Sequence, residues 1–371
     1  MAIPELLEAL LRVPGPSGQE ARAAAAWRGL CEPFAADVDV DVNGSSWARV
    51  PGTGSDPAHA AGAGMASGPS QQTKGKCLAI VGHIDEIGVH ITHIDDDGFL
   101  RFGQVGGWDP VNLVSQRVLI ATRNGPIRGV IGRKAIHLMD DEDRKKVPDL
   151  KGLHIDIGAA DGDEAHELVR VGDAGVLDAE PLEFPNGRVV SRSLDNRIGC
   201  YVAARAAQLI AQSGGAPGDV LAMAVVQEEI GLHGAKTSAF RHRPDVAIAV
   251  DVSHASDTPG HALGRDTHHK LGSGPVIERA SLLHPRVSEL LYDAAEAEDI
   301  PFTVASSSRF TATDADAFTT SRAGIPTGLV SVPLRYMHSS VEMASIEDIE
   351  NTAKLLAAFA KRLDPGEKFA R

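Results

Sequence analysis

Four apolar runs in this sequence stop abruptly at acids and histidines. "LAIVGHIDE" delivers His83, Asp85 and Glu86, "VLAMAVVQEE" delivers Glu228 and Glu229, "VAIAVDVSH" delivers Asp251 and His254, and "LVSVPLRYMHSSVE" leads to His338 and Glu342. A fifth cluster, "SRSLDNR", places Asp195 just before a helical stretch. A bare group of converging carboxylates would repel itself and raise its own pKa values, so a site of this composition calls for a cation. Two histidines mixed with carboxylates suit zinc or its transition-metal relatives better than the all-oxygen cages of calcium or magnesium. A paired site of that kind would hold two ions roughly 3.5–4 Å apart across a bridging carboxylate.

The elements must bring these groups together. In open α/β sheets the carboxyl ends of the strands, where helices begin, form the binding crevice, so the clusters are expected to converge there. Glu228 and Glu229 are adjacent, and neighbouring side chains on a strand point to opposite faces; both serve one site only if the strand ends at them and the chain turns toward Gly231. For any one of these acids or histidines a hydrogen-bonded loop role is the blander reading, and only five clusters in one domain outweigh it. The remaining candidates keep that reading: His90 and His93 are expected on a strand face, the acids of "HIDDDG" in a solvated turn, and His268 and His269 exposed in a polar loop.

Helical spacing runs from the start to about residue 30, and "DVDVDV" then alternates like a strand with one solvated face. Residues 51–75 are rich in Gly, Ala, Ser and Pro and read as a mobile surface insertion, since they carry too little apolar surface to offset the entropy of ordering. From 88 to 177 the texture is short strands and turns, with Asn124-Gly125 as a hairpin signal between two alternating runs. From about 178 strands alternate with helices, and Ser345 with Asp348 resembles a capping box before the closing helix. The expected architecture is therefore an α/β domain over 1–87 and 178–371, a mixed sheet flanked by helices, interrupted by a small all-β, barrel-like domain over 88–177.

Composition excludes several functions. A formal charge of −14 without any basic tract argues against a nucleic-acid partner. No apolar stretch is long enough to span a bilayer, and the first residues lack the features of a signal peptide, so a cytoplasmic enzyme without a membrane partner is expected. Cys31, Cys77 and Cys200 are widely spaced, which argues against a disulfide framework or a thiolate zinc site.

The order and wording of the motifs resemble the M42 family of dinuclear metallo-aminopeptidases, the glutamyl and tetrahedral aminopeptidase group of the zinc-peptidase clan. The resemblance runs from "GPSGQE" through "GHIDEIG", "GVIGRKAIH", "LHIDIGA", "SLDNRIG", "VVQEEIGLHGA", "DTPG", "LGSGP" and "GIPT" to "LRYMHSSVE", nearly the whole chain. It implies two divalent ions per subunit, zinc first with cobalt or manganese as substitutes. It also implies that His83, Glu229, Asp251 and His338 ligate them, that Asp195 bridges them, that Glu228 is the general base, and that Asp85 holds the second ring nitrogen of His83. The Asp195–Asn196 peptide is implied to be cis. The implied reaction is hydrolysis of the first bond of a peptide with a free α-amino group. The inserted β domain is implied to drive dimerisation, with dimers assembling into a tetrahedral dodecamer, and the 51–75 insertion is a departure that bears on that assembly.

Two rival readings remain at this level. A clan relative acting on another amide, such as an M20-like carboxypeptidase or deacylase, would share the metal shell. A non-catalytic peptide-binding scaffold would betray itself by a missing ligand or base, and none is missing. A glycosidase would need two metal-free carboxylates beside a sugar, whereas these acids are committed to metal.

Overall fold

The computed structural model describes residues 2–53, 75–259 and 268–370; the Gly/Ala-rich segment predicted over 51–75 lies, apart from its ends, outside the described residues. Four parallel strands form the centre of an eleven-stranded sheet, in the spatial order Val220–Val225, Leu78–His83, Val246–His254 and Thr327–Arg335. Antiparallel strands widen it on both sides: Asp37–Val40 and Ser46–Val50 beyond the first, Glu342–Ser345, Arg188–Ser191 and Leu182–Phe184 beyond the last. Val276–Ala280 and Thr303–Ser307 branch from Thr327–Arg335.

The continuous apolar runs of the central strands follow from coverage of both faces. Leu78 and Ile80 enter one core with the helices Glu5–Leu11, Ala21–Cys31, Leu194–Gln212 and Ile346–Arg362, while Ala79 and Val81 enter a second core with His233–His242 and Asp314–Thr319. One close approach is decisive for the site. A Cβ on Gly82 would fall inside the backbone of Gly199 and Cys200. Only the bare glycine lets the helix Leu194–Gln212, which carries Asp195 in its first turn, lie directly on the strand that ends at His83.

From Gly88 onward the chain closes a six-stranded antiparallel barrel from Gly88–Ile94, Leu100–Val105, Arg117–Thr122, Gly125–Arg133, Leu153–Asp156 and Ala174–Leu177. Closure removes exposed edges, and alternate residues such as Ile91, Leu100, Ile120 and Ile155 fill its separate core. His90 and His93 both stand exposed on the strand although they are three residues apart, because the register against Leu100–Val105 shifts between Ile91 and His93.

Several local expectations are corrected. The helical spacing to residue 30 is split by Pro14–Gly18 into two helices, and that break pairs Pro16 with Glu86 beside the site. The hairpin forms, but its two-residue tip is Arg123-Asn124; Gly125, at φ 114°, opens the return strand opposite Thr122. Ser345 stands at the N-terminus of the last helix without a side-chain cap bond. Asp348 instead accepts the backbone N–H groups of Gly272 and Gly274, both at 2.7 Å, because tertiary partners outcompete the local motif. Among the described residues no helix is long and apolar enough to cross a membrane.

Candidate metal centre

The seven residues to which the resemblance gives roles, His83, Asp85, Asp195, Glu228, Glu229, Asp251 and His338, are brought together past the carboxyl ends of the central strands. His83, Asp195 and Glu229 bring ligand atoms within 4.8 Å of one another, and His83, Glu228 and Asp251 form a second such group. Asp195 faces both histidines: its Oδ1 lies 3.2 Å from His83 Nε2 and its Oδ2 lies 3.5 Å from His338 Nε2. Glu229 Oε1 is 3.4 Å from the same His338 nitrogen, and Glu228 Oε2 is 3.8 Å from His83 Nε2. The Asp195–Asn196 peptide is cis.

Backbone carbonyls set the tautomers. His338 Nδ1 lies 2.6 Å from the carbonyl oxygen of Gly107, and His83 Nδ1 lies 3.2 Å from that of Asp85. A carbonyl can only accept, so both Nδ1 atoms carry a proton and both Nε2 atoms face the carboxylates, donating N–H to them without a cation and offering a lone pair once one displaces that proton. Gly107 belongs to the segment that follows the second barrel strand, and Trp108 beside it donates its indole N–H to Gly88 at 2.8 Å. The insertion thus reaches the centre itself.

Asp85 stands at the second ring nitrogen of His83 as expected, but with its carbonyl oxygen nearer than its carboxylate. It holds His83 chiefly through its main chain, since its carboxylate is farther from Nδ1, at 3.5 Å, and is committed elsewhere. Oδ1 accepts the backbone N–H of Glu228 at 3.0 Å, and Oδ2 accepts that of Glu229 at 3.1 Å and the hydroxyl of Ser17 at 2.6 Å. Glu342 works similarly, accepting the backbone N–H of His338 at 2.9 Å and of Asp195 at 3.1 Å. Glu86, another acid of the first cluster, pairs with Arg192 and Arg197 and accepts the N–H of Gly15, so it is not a ligand. His254 is exposed at its strand end, and His268 is exposed as expected. His269 is instead buried, with Nδ1 2.7 Å from Thr303 Oγ1.

Sequence reasoning missed the roles of Ser17, Glu342 and Gly107, and missed Asp314 altogether. Asp314 is a buried carboxylate in the first turn of Asp314–Thr319, and burial pushes its pKa up to about 7, opposed by the charge of His83 and reinforced by that of Asp85. The only available signals were "SSVE" just after His338 and an acid in "TATDAD"; a backbone carbonyl leaves none.

The electrostatics ask for positive charge. Burial, aided by neighbouring acids, pushes Glu228 up to about 10 and also raises Glu229, Asp251 and Glu342. Burial would raise Asp195 too, but its contacts with His338 and His83 outweigh it and hold that carboxyl well below the usual range. Hydrogen bonds to Asp195 and Glu229 carry His338 up to about 11. Burial opposes a charged His83, yet the facing carboxylates raise it above the ordinary histidine value. Asp195, Glu229, His338 and Glu342 also line a cavity of about 10 Å³, room for one water-sized or ion-sized sphere. This donor set of two imidazole nitrogens and several carboxylates fits a pair of divalent transition-metal ions.

Comparison with known proteins agrees with that geometry. Residues 62–355 match the sequence profile described as M42 glutamyl aminopeptidase. The lysyl aminopeptidase of Pyrococcus furiosus is 35% identical over 290 residues, 78% of this chain and 82% of its own length. An aminopeptidase from the archaeon Desulfurococcus kamchatkensis superposes with a TM-score of 0.85 at 35% identity, covering 97% of this chain and 95% of that one. The TET1 peptidase of Pyrococcus horikoshii, which can assemble into a tetrahedron or a large octahedral shell, superposes with a TM-score of 0.80 at 31% identity over 97% of this chain and 99% of its own.

Proposed function

The chain belongs to the M42 glutamyl aminopeptidase family and is a metal-dependent aminopeptidase, and on that premise we propose how its residues divide the work. His83, Glu229, Asp251 and His338 ligate two divalent cations, Asp195 bridges them, and Glu228 is the general base. The observation that carries this reading is the two-sided placement of Asp195, one oxygen toward each histidine. When bound, two such cations supply Lewis-acid polarisation of a peptide carbonyl and acidify a water. Glu228 takes the proton from that attacking water and hands it to the leaving amine; burial keeps this carboxyl protonated without a cation, and bound cations would free it to act as the base. The remaining negative field receives the substrate's cationic α-amino group, which restricts cleavage to the first residue.

Zinc suits the mixed nitrogen and oxygen donors, with cobalt or manganese as alternatives. The 88–177 insertion acts as a dimerisation domain in a cytoplasmic homo-oligomer, and the likeness to TET1 supports a tetrahedral assembly of dimers. A second reading makes Glu228 a ligand, favoured by its grouping with His83 and Asp251.

Release of N-terminal residues from a panel of free and N-acetylated peptides, with and without chelator, tests the function. The panel also identifies the preferred first residue. Activity that survives exhaustive chelation would refute the metal reading, and equal cleavage of acetylated peptides would refute exopeptidase action.

A further inference from the structure

Two buried carboxylates, not one, brace the centre, and the second has no role in the chemistry above. Glu342 opens the strand Glu342–Ser345 and is 2% exposed. Its two oxygens accept the backbone N–H groups of two residues far apart in the chain, Oε1 from His338 at 2.9 Å and Oε2 from Asp195 at 3.1 Å. The loop carrying His338 is unusual, because Tyr336 and His338 both have positive φ, at 60° and 59°. Side-chain-bearing residues rarely adopt that conformation, so the surrounding contacts must hold it. The Gly107 carbonyl fixes the His338 ring, and Glu342 fixes its backbone. The same carboxylate fixes the backbone from which the Asp195 side chain departs.

We propose that Glu342 is a positioning residue that sets the separation between Asp195 and His338, and so sets the affinity for the ion held between them. It ligates nothing and moves no proton. Asp85 gives the parallel case on the opposite wall, where one carboxylate spans the amides of Glu228 and Glu229. A carboxyl group is needed because both partners are N–H donors: it offers an acceptor oxygen to each, whereas a glutamine accepts with one and turns an NH2 group against the other donor. Glu342→Gln is therefore nearly isosteric yet opens half of the clamp.

The inference rests on the two-ion reading, and the experiment separates their failures. Metal-stripped protein is titrated with Co²⁺ and followed by calorimetry and the visible cobalt spectrum. Wild-type protein is expected to bind two ions. E342Q is expected to keep its fold by circular dichroism and to bind one ion as wild type does. The other is bound roughly 10–100-fold more weakly with an altered spectrum, the usual effect of removing an outer hydrogen bond. Glu342→Asp, with two acceptor oxygens on a shorter arm, is expected to recover part of that loss. At saturating metal E342Q should lose kcat with little change in KM. Wild-type affinity for both ions in E342Q overturns the assignment, as does equal weakening of both ions. Should E342Q fail to fold, E342D carries the test: weaker binding of one ion is expected, and unaltered binding of both overturns the assignment. A wild-type protein that binds no cobalt overturns the two-ion reading and this inference together.

Discussion

The carboxylate of Asp85 accepts the backbone N–H of Glu228 at 3.0 Å with one oxygen and uses the other for Glu229, so one buried acid orients the main chain of both adjacent glutamates. That clamp answers the strand-geometry problem. The strand ends at Val225, and beyond it the two side chains are aimed by hydrogen bonds instead of by the pleat. Asp85→Asn leaves one acceptor for two amides and the Ser17 hydroxyl. It is expected to lower kcat/KM at least tenfold, whereas Ser17→Ala, removing one hydrogen bond worth about 1 kcal/mol, should cost only a few-fold. Steady-state kinetics on both variants checks the ranking, and an S17A variant as impaired as D85N would contradict it.

The two glutamates should separate cleanly. Glu228→Gln is expected to keep two bound ions and lose turnover by roughly 10²–10⁴, the usual contribution of general acid–base catalysis. Glu229→Gln is expected to lose metal first. Metal content by elemental analysis alongside kcat decides, and equal metal loss in both variants would favour the reading of Glu228 as a ligand.

Metal affinity should rise with pH. Without a cation, His338 is carried up to about 11 by Asp195 and Glu229, and Glu228 up to about 10 by burial, so these groups hold protons at neutral pH that an incoming cation must displace. Titration calorimetry in buffers of different ionisation enthalpy should therefore report net proton release near pH 7, declining at higher pH. A binding enthalpy independent of the buffer would contradict this.

Asp314 should destabilise the metal-stripped protein at alkaline pH. Its folded pKa of about 7 lies above the ordinary aspartate value, so stability is greatest below that ordinary value and falls as pH rises toward 7. The full penalty is on the order of 4 kcal/mol. Asp314→Asn should accordingly raise the melting temperature more at pH 8 than at pH 5, and a shift that is the same at both values would count against it.

Gly82→Ala should misplace the Asp195 helix, because its methyl would overlap the backbone of Gly199 and Cys200. Overpacking of this kind costs about 1–3 kcal/mol. Denaturant unfolding with a parallel metal titration checks it, with loss of both stability and ion affinity expected.

The residues that converge were legible because they are written locally. Apolar runs that stop at His83, Glu228, Asp251 or His338 announce strand ends, and strand ends in an α/β sheet announce a crevice. The barrel was legible from short alternating strands and turns. What the sequence hid is held by the main chain or decided by distant partners. Gly107 contributes only a carbonyl, and Glu342 and Asp85 act on amides that every residue has. Asp348 looks like a capping residue until Gly272 and Gly274 arrive from elsewhere, and His269 looks like a surface residue until Thr303 covers it.

The Gly107 carbonyl has an implication for anyone who would shorten this protein. Replacing the barrel with a tight turn would spare the sheet, both helical layers and all seven residues of the centre, yet it would delete the acceptor that decides which nitrogen of His338 carries the proton. The trimmed imidazole would be free to flip and to present N–H where a lone pair is required. The β insertion is thus an organ of the active centre as well as an appendage to it, and it communicates with the chemistry through one ring.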